Sequence, residues 1–215
     1  NGVLGYPQNS YIKIIKLNYK IGGNNIMSSL MDIAGGIQSP VEKIYLHYEL
    51  SEDGRILTIT NCDNDEERPV FGKALVEEVI LDCILPRVCR DMFDRYEYLH
   101  TVNCTGNFSS ANVTDMHGMF KYCNILQQID VSDWDVSNVT DMAEMFKECS
   151  SLRQLNVSNW DTSNVTDTSN MFYQCVALQE LNVSFWNVSN VTDMHWMFYN
   201  CRLLKPLEVT NWDVS

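Results

Sequence analysis

The pentapeptide Asn-Val-Thr-Asp-Met begins at Asn112, Asn138 and Asn190, with Asn-Val-Thr-Asp-Thr at Asn164, so the same words return at a fixed step of 26 residues. A period of this length commits a chain to repeat architecture. The step is shared by Phe120, Phe146, Phe172 and Phe198, by Cys123, Cys149, Cys175 and Cys201, and by Trp134, Trp160, Trp186 and Trp212. A unit this short cannot close its own apolar face. Stacked copies bury a continuous core between them, with equivalent side chains filed one above another.

Within a unit, Leu152, Leu155 and Val157 follow the spacing of a short strand, as do Leu126, Ile129, Val131 and Leu178, Leu181, Val183. The Asp-Thr-Ser-Asn run after Trp160 supplies side-chain oxygens for a turn. Met142, Met145, Phe146 and Cys149 fall at helical spacing, with Asp141 placed as an N-cap and Glu144 three residues on, which predicts a short helical turn. Working backward, Leu99, Val102 and Cys104 match the strand triplet, and Met92-Phe93 precedes Met119-Phe120 by 27 residues; Tyr96 and Phe108 stand where later units have Cys and Trp. Val76, Val79 and Leu81 form a fainter first rung, and Leu204, Leu207 and Val209 the last. The expected fold is an α/β repeat solenoid of about six coils, each with one short strand and one short helical turn.

Residues 1–74 lack the period and are expected to form an N-terminal cap region beside the solenoid of residues 75–215. Tyr11 to Tyr19 carries a weak strand signal, and Met27 to Ile33 suits a short helix before Gly35-Gly36. A β-hairpin is predicted from Val41 to Leu50, a Ser51-Glu52-Asp53-Gly54 turn, and Arg55 to Thr60. It would shield the first open core layer. The last unit stops mid-repeat at Trp212-Asp213-Val214-Ser215, which reads as part of a longer chain.

Charge and motifs narrow the chemistry. A formal net charge of −13 repels polyanions, so nucleic acid and anionic headgroups are poor partners, and no apolar run is long enough to span a membrane. Four Cys share one repeat position beside Phe and Leu, where they read as buried thiols acting as small hydrophobes. Among Cys62, Cys83, Cys89 and Cys104 one bridge is conceivable, Cys83 with Cys89 or Cys104. No Cys-x-x-Cys pair occurs and the four His are scattered, so no metal or other cofactor is expected. His117 and His195 share a phase with Ala143 and Ser169 between them, which denies adjacent coils a catalytic pair; they are expected to be exposed helix residues. The Asp115, Asp141, Asp167 and Asp193 column suggests a calcium ladder, but helix capping explains it without a cation. The Asn-Val-Thr and Asn-Val-Ser triplets are formal glycosylation sequons that recur because Asn, Ser and Thr make turns and ladders. With no phosphate loop or nucleophile elbow in view, the chain is not expected to be an enzyme.

The string Val131-Ser-Asp-Trp-Asp-Val-Ser-Asn-Val-Thr-Asp-Met-Ala-Glu-Met-Phe-Lys-Glu-Cys-Ser-Ser-Leu resembles the repeat of the BspA-like surface proteins and, more closely, the mycoplasma-lipoprotein type of that repeat. The likeness is strong over residues 112–215, faint over 76–111, and absent from 1–74. Thr168 departs from the Met at 116, 142 and 194. The resemblance implies a right-handed, leucine-rich-repeat-like solenoid at a cell surface or outside the cell, engaged in adhesion to proteins of a host, its matrix or other cells, and it carries over no catalytic residues.

In a repeat protein the core positions are uniform and the binding positions vary. Asp133, Asn159, Phe185 and Asn211 form a column in which Phe185 is the outlier. Gly118, Glu144, Asn170 and Trp196 form another, and Lys121, Lys147, Tyr173 and Tyr199 a third. Tyr173, Phe185, Trp196 and Tyr199 are therefore candidate anchors for a protein partner; the alternative is that they cover the edge of the core. A second candidate is the polar strand face, including Gln128, Asp130, Gln154, Asn156, Glu180, Asn182 and Glu208. The leading function is a non-enzymatic protein-binding or adhesion module using one lateral face. The alternatives are a structural spacer or self-assembly element of a larger surface or particle protein, and an effector with its activity in residues 1–74.

Overall fold

The computed structural model describes residues 47–61 and 75–213, which lie within one compact unit, residues 44–215. The expected strand at 11–19, the helix at 27–33, the beginning of the hairpin and Cys62 lie outside the described residues. Among the described residues, five strands are arranged in one open sheet in chain order: β1 (His47–Leu50), β2 (Ile56–Asn61), β3 (Glu78–Leu81), β4 (Thr101–Cys104) and β5 (Gln128–Ile129). β1 and β2 are antiparallel and form the hairpin, while β2, β3, β4 and β5 run parallel. The Ser51–Gly54 turn closes through the Gly54 N–H to the Ser51 carbonyl at 2.8 Å, with Gly54 at φ 73°, a conformation that glycine reaches without a Cβ clash. Val79 sits opposite Leu57 and Val102, and all three are buried, so the hairpin joins the sheet in phase with the first rungs.

The repeats stack in register. The rings of Phe93, Phe120, Phe146, Phe172 and Phe198 follow one another with centroids 5.4–5.8 Å apart and planes within 15° of parallel. Trp160 and Trp186 lie 6.1 Å apart at 7°, and Phe108 packs on Trp134 at 5.4 Å, taking the preceding place in the tryptophan file. Two polar contacts per repeat tie these files together. Each thiol of Cys123, Cys149, Cys175 and Cys201 donates to the carbonyl of Phe93, Phe120, Phe146 or Phe172 at 3.0–3.2 Å. The indole N–H groups of Trp160, Trp186 and Trp212 donate to the carbonyls of Val131, Val157 and Val183 at 2.9–3.1 Å. Burial pushes the Cys149 and Cys175 thiols well up, and seven cysteines among the described residues are free, including Cys83, Cys89 and Cys104. The conceivable bridge of Cys83 with Cys89 or Cys104 is therefore absent from the structure.

No helix occurs among the described residues, which corrects the expected helical turn. The segment opened by Asp141 consists of β-turns instead. The Met145 N–H returns to Met142 and the Cys149 N–H to Phe146, and the third residues of these turns, Glu144 and Glu148, have φ of 59° and 60°. The alternate donors leave the repeat: Met142, Glu144, Phe146 and Glu148 bond the carbonyls of Asp167, Ser169, Met171 and Tyr173 at 2.7–3.0 Å. A helix would keep those N–H groups internal and leave neighbouring repeats joined by side chains alone. Left-handed backbone costs a non-glycine residue about 1 kcal/mol or more, and the bond each turn gains to the next repeat offsets it. The inward side chains are the same under both geometries, because Met142, Met145, Phe146 and Cys149 are all fully buried.

The strands thin out along the stack, against the expectation of one per coil. After β5 only an isolated pairing of Gln154 with Glu180 remains on that side. The cause is local. Oδ1 of Asp130, Asn156 and Asn182 accepts both the backbone N–H and the hydroxyl of the serine two residues on, Ser132, Ser158 and Ser184, and this turn clips each strand short. In β4, the corresponding Asn103 reaches across to Glu78 instead, at 2.6 Å, and the strand runs for four residues.

Candidate interaction site

The Asn-Val-Thr-Asp word is now explained residue by residue. The Asn138, Asn164 and Asn190 amides donate to the carbonyls of Ala111, Ser137 and Ser163. Val139 and Val165 are buried, and the hydroxyls of Thr140, Thr166 and Thr192 donate to the preceding Thr carbonyls at 3.0–3.1 Å. Oδ1 of each Asp accepts the N–H two residues later at 2.8–3.0 Å, on His117, Ala143, Ser169 or His195. The Asp column is thus a set of Asx turns and not of helix caps. Because the Nδ2 atoms of three sequons are bound to the preceding repeat, a glycan there would break the ladder.

Beside this column lies a lateral face whose chemistry changes along the stack. At its beginning it is saturated with ion pairs. Arg90 bridges Asp115 and Asp141 at 2.9 and 2.7 Å, and Glu144 receives Lys121 at 2.8 Å and Lys147 at 2.5 Å. His117, expected on an exposed helix, is mostly covered here and lies 3.5 Å from Asp141 and 3.9 Å from Glu144. Desolvation pushes the Glu144 carboxyl up, but the hydrogen bonds and charges of Lys121 and Lys147 outweigh it and hold the group below the usual glutamate value. A depressed folded-state pKa contributes stability above the unfolded value and loses it as pH falls through the folded one. Denaturant midpoints are therefore expected to fall on acidification below about pH 4.5. Glu144→Gln should cost about 1 kcal/mol at pH 7 and flatten that acid limb; urea titrations at pH 7 and pH 3 decide it.

Two repeats later the same positions are aromatic. Tyr173 and Tyr199 stack at 5.1 Å, and Trp196 lies 6.3 Å from each. The His195 ring meets Trp196 edge-on at 5.4 Å and its Nδ1 reaches Asp193 Oδ1 at 2.6 Å. Trp196 is 63% exposed and Tyr199 55%, so the cluster faces solvent. Trp196 and Tyr199 are paired by a β-turn, the Tyr199 N–H bonding the Trp196 carbonyl at 3.0 Å, and not by the helical turn expected for them. Phe185 is 76% exposed but makes no ring contact among the described residues, so it stands apart from the cluster.

The polar strand face lines an open groove of about 1110 Å³ bounded by Gln128, Asp130, Gln154, Asn156, Glu180 and Asn182, with Phe108 and Trp134 at one end. Asp130, Asn156 and Asn182 have their Oδ1 atoms committed to the serine turns, Glu180 pairs with Lys205, and Glu208 is exposed outside the groove lining. No cluster of metal-ligating side chains exists among the described residues, nor any helix long and apolar enough to cross a membrane. Arg90, which bridges the first two carboxylates of the column, was not singled out by sequence reasoning because it lies in the off-period unit. The only available signal was the 27-residue step that precedes Met119-Phe120.

The family model described as "Mycoplasma protein of unknown function, DUF285" matches residues 88–212, more than half of the chain. The chain belongs to this family. The DUF285 match begins within the degenerate unit and takes in the turn ladder, the Phe, Cys and Trp files and the aromatic cluster. No curated protein matches the chain. Among solved structures, a crystal structure of the T. pallidum leucine-rich repeat protein TpLRR is similar over 79% of this chain and 91% of its own, at 16% identity and a TM-score of 0.36.

Proposed function

We propose that this DUF285 chain is a non-enzymatic protein-binding module that engages a partner polypeptide through Tyr173, Trp196 and Tyr199, as an adhesion element at a cell surface. The observation that carries the reading is the exposed cluster itself: three rings within 5.1–6.3 Å of one another, held on a backbone fixed by turns and bonds between repeats. Large aromatic side chains on a rigid support lose little freedom on binding and dominate interface energetics. The groove is less suited to lead an interface, since Oδ1 of Asp130, Asn156 and Asn182 is spent on local turns, Glu180 pairs with Lys205, and no exposed aromatic cluster lies in its lining. The surface placement and the adhesive role are supported by the likeness of the repeat to BspA-like surface proteins.

A photo-crosslinking residue at position 199 is expected to capture a polypeptide from a cell-surface extract, and Trp196→Ser to cut the yield by about fivefold or more. The same crosslinker at position 154 in the groove should capture nothing. Adducts confined to position 154, or yields indifferent to Trp196→Ser, would sink the proposal.

A further inference from the structure

The lateral face contains its own template for the partner's chemistry. In every Asp of the column Oδ1 is used by the turn, which leaves Oδ2 for other work. In the first pair that work is done by arginine: Arg90 Nε donates to Asp115 Oδ2 at 2.9 Å and Nη2 to Asp141 Oδ2 at 2.7 Å. Parallel pairings join Asp115 to Asp141, Asp141 to Asp167 and Asp167 to Asp193, so the second pair repeats the backbone arrangement of the first. No lysine or arginine among the described residues reaches Asp167 or Asp193. The second pair thus repeats the backbone placement of carboxylates in successive repeats that holds Arg90, without an arginine of its own.

The aromatic cluster adds an independent indication. On this same face the chain places its own cations over rings, Arg95 over Tyr122 at 4.3 Å and Lys147 over Tyr173 at 5.5 Å. Beyond Tyr173, Trp196 and Tyr199 continue the ring surface, and His195 links it to Asp193. Trp196 has φ 55°, at a position occupied in earlier repeats by Gly118, Glu144 and Asn170. All four share this left-handed turn position, so the exchange to Trp changes the side chain presented and leaves the backbone as it is in the other repeats. The formal charge of −13 favours a basic ligand throughout.

We propose that this face receives an arginine side chain of a partner polypeptide, its guanidinium bridging Asp167 and Asp193 through their Oδ2 atoms, with the flanking basic segment lying over Trp196 and Tyr199. The proposal rests on the reading of this face as an interface and names the chemistry of what binds there. A guanidinium presents donors in a planar fork that can serve two carboxylates at once and also stacks on aromatic faces; an ammonium is a point charge and does neither as well.

The test uses the 215-residue chain and three fluorescein-labelled peptides that alternate Gly or Ser with Arg, Lys or citrulline, titrated by fluorescence anisotropy. The arginine peptide should bind about tenfold more tightly than the lysine peptide, and the citrulline peptide should not bind. Asp167→Asn with Asp193→Asn retains the Oδ1 acceptor of each turn and should weaken the arginine peptide about tenfold. Asp130→Asn with Glu180→Gln, an equal loss of charge in the groove, should leave binding unchanged. Equal binding of the lysine and arginine peptides, an unaffected Asp167/Asp193 variant, or no arginine-peptide binding at all overturns the inference. If position 199 still captures a polypeptide in that event, the interface reading survives alone; if capture fails too, both are overturned.

Discussion

Phe146→Ala is expected to destabilise the protein by about 4 kcal/mol, because it opens a hole in the middle of a continuous file of rings. Phe146 is fully buried and stacks on Phe120 at 5.6 Å and on Phe172 at 5.8 Å, so the gap has aromatic walls on both sides that turns bonded to the next repeat prevent from collapsing. Phe198→Ala removes a ring that is only partly buried and is stacked in the file on Phe172, and should cost about half as much. The larger loss also falls at a joint. In a linear stack each repeat is supported by its neighbours, so weakening one interface should broaden the unfolding transition and lower its denaturant slope. Guanidinium titrations followed by circular dichroism read both quantities. Equal losses for the two variants would mean that the file is not a shared core.

Trp160→Ala should cost a similar amount, about 4 kcal/mol, but its parts can be separated. Trp160 is buried, stacks on Trp186 and donates its indole N–H to the Val131 carbonyl at 2.9 Å. Trp160→Phe retains most of the apolar contact and removes the donor, leaving that carbonyl without its indole partner, and should cost about 2 kcal/mol. Trp134 provides the control. Its indole nitrogen is buried and lacks the carbonyl bond of the later tryptophans, facing only the weak sulfur acceptor of Cys104 where later repeats have valine. Trp134→Phe should therefore cost less than about 1 kcal/mol, and Phe108 already shows that a phenyl ring fits this file. Thermal midpoints of the three variants test the assignment, and equal losses for Trp160→Phe and Trp134→Phe would refute the role given to the hydrogen bond.

What the sequence revealed and what it hid follow from the same property. A period marks which residues share an environment, so the Phe, Cys and Trp files were readable as columns before any coordinates. It does not mark the backbone. Inward positions at Met142, Met145, Phe146 and Cys149 satisfy an amphipathic helix and a run of β-turns equally well. Only φ distinguishes them, and the left-handed sites at 144 and 148 are occupied by Glu, where glycine would have given the turn away. Gly118, Asn170 and Asn200 at the equivalent positions were the hints. Hydrogen bonds made by side chains to backbone were hidden for a related reason: a buried Cys or Trp column reads as apolar, and the carbonyl it serves carries no signature. The aromatic cluster was legible as a departure from column identity. Its tie to the acidic column was not, because the contact of His195 with Asp193 inside one repeat has no spacing signature and Arg90 acts on carboxylates of other repeats.

The bonds between repeats have one more implication. They connect residues separated by fixed offsets, 26 for the threonine ladder, 27 for the asparagines and 29 for the tryptophan and most thiol links. Excising or duplicating one whole period restores every such pairing with a homologous partner, whereas a lone inserted residue throws all of them out of step. Unequal recombination can therefore lengthen or shorten this molecule without inventing a new contact, and the lateral face is free to diversify while the scaffold beneath it is copied.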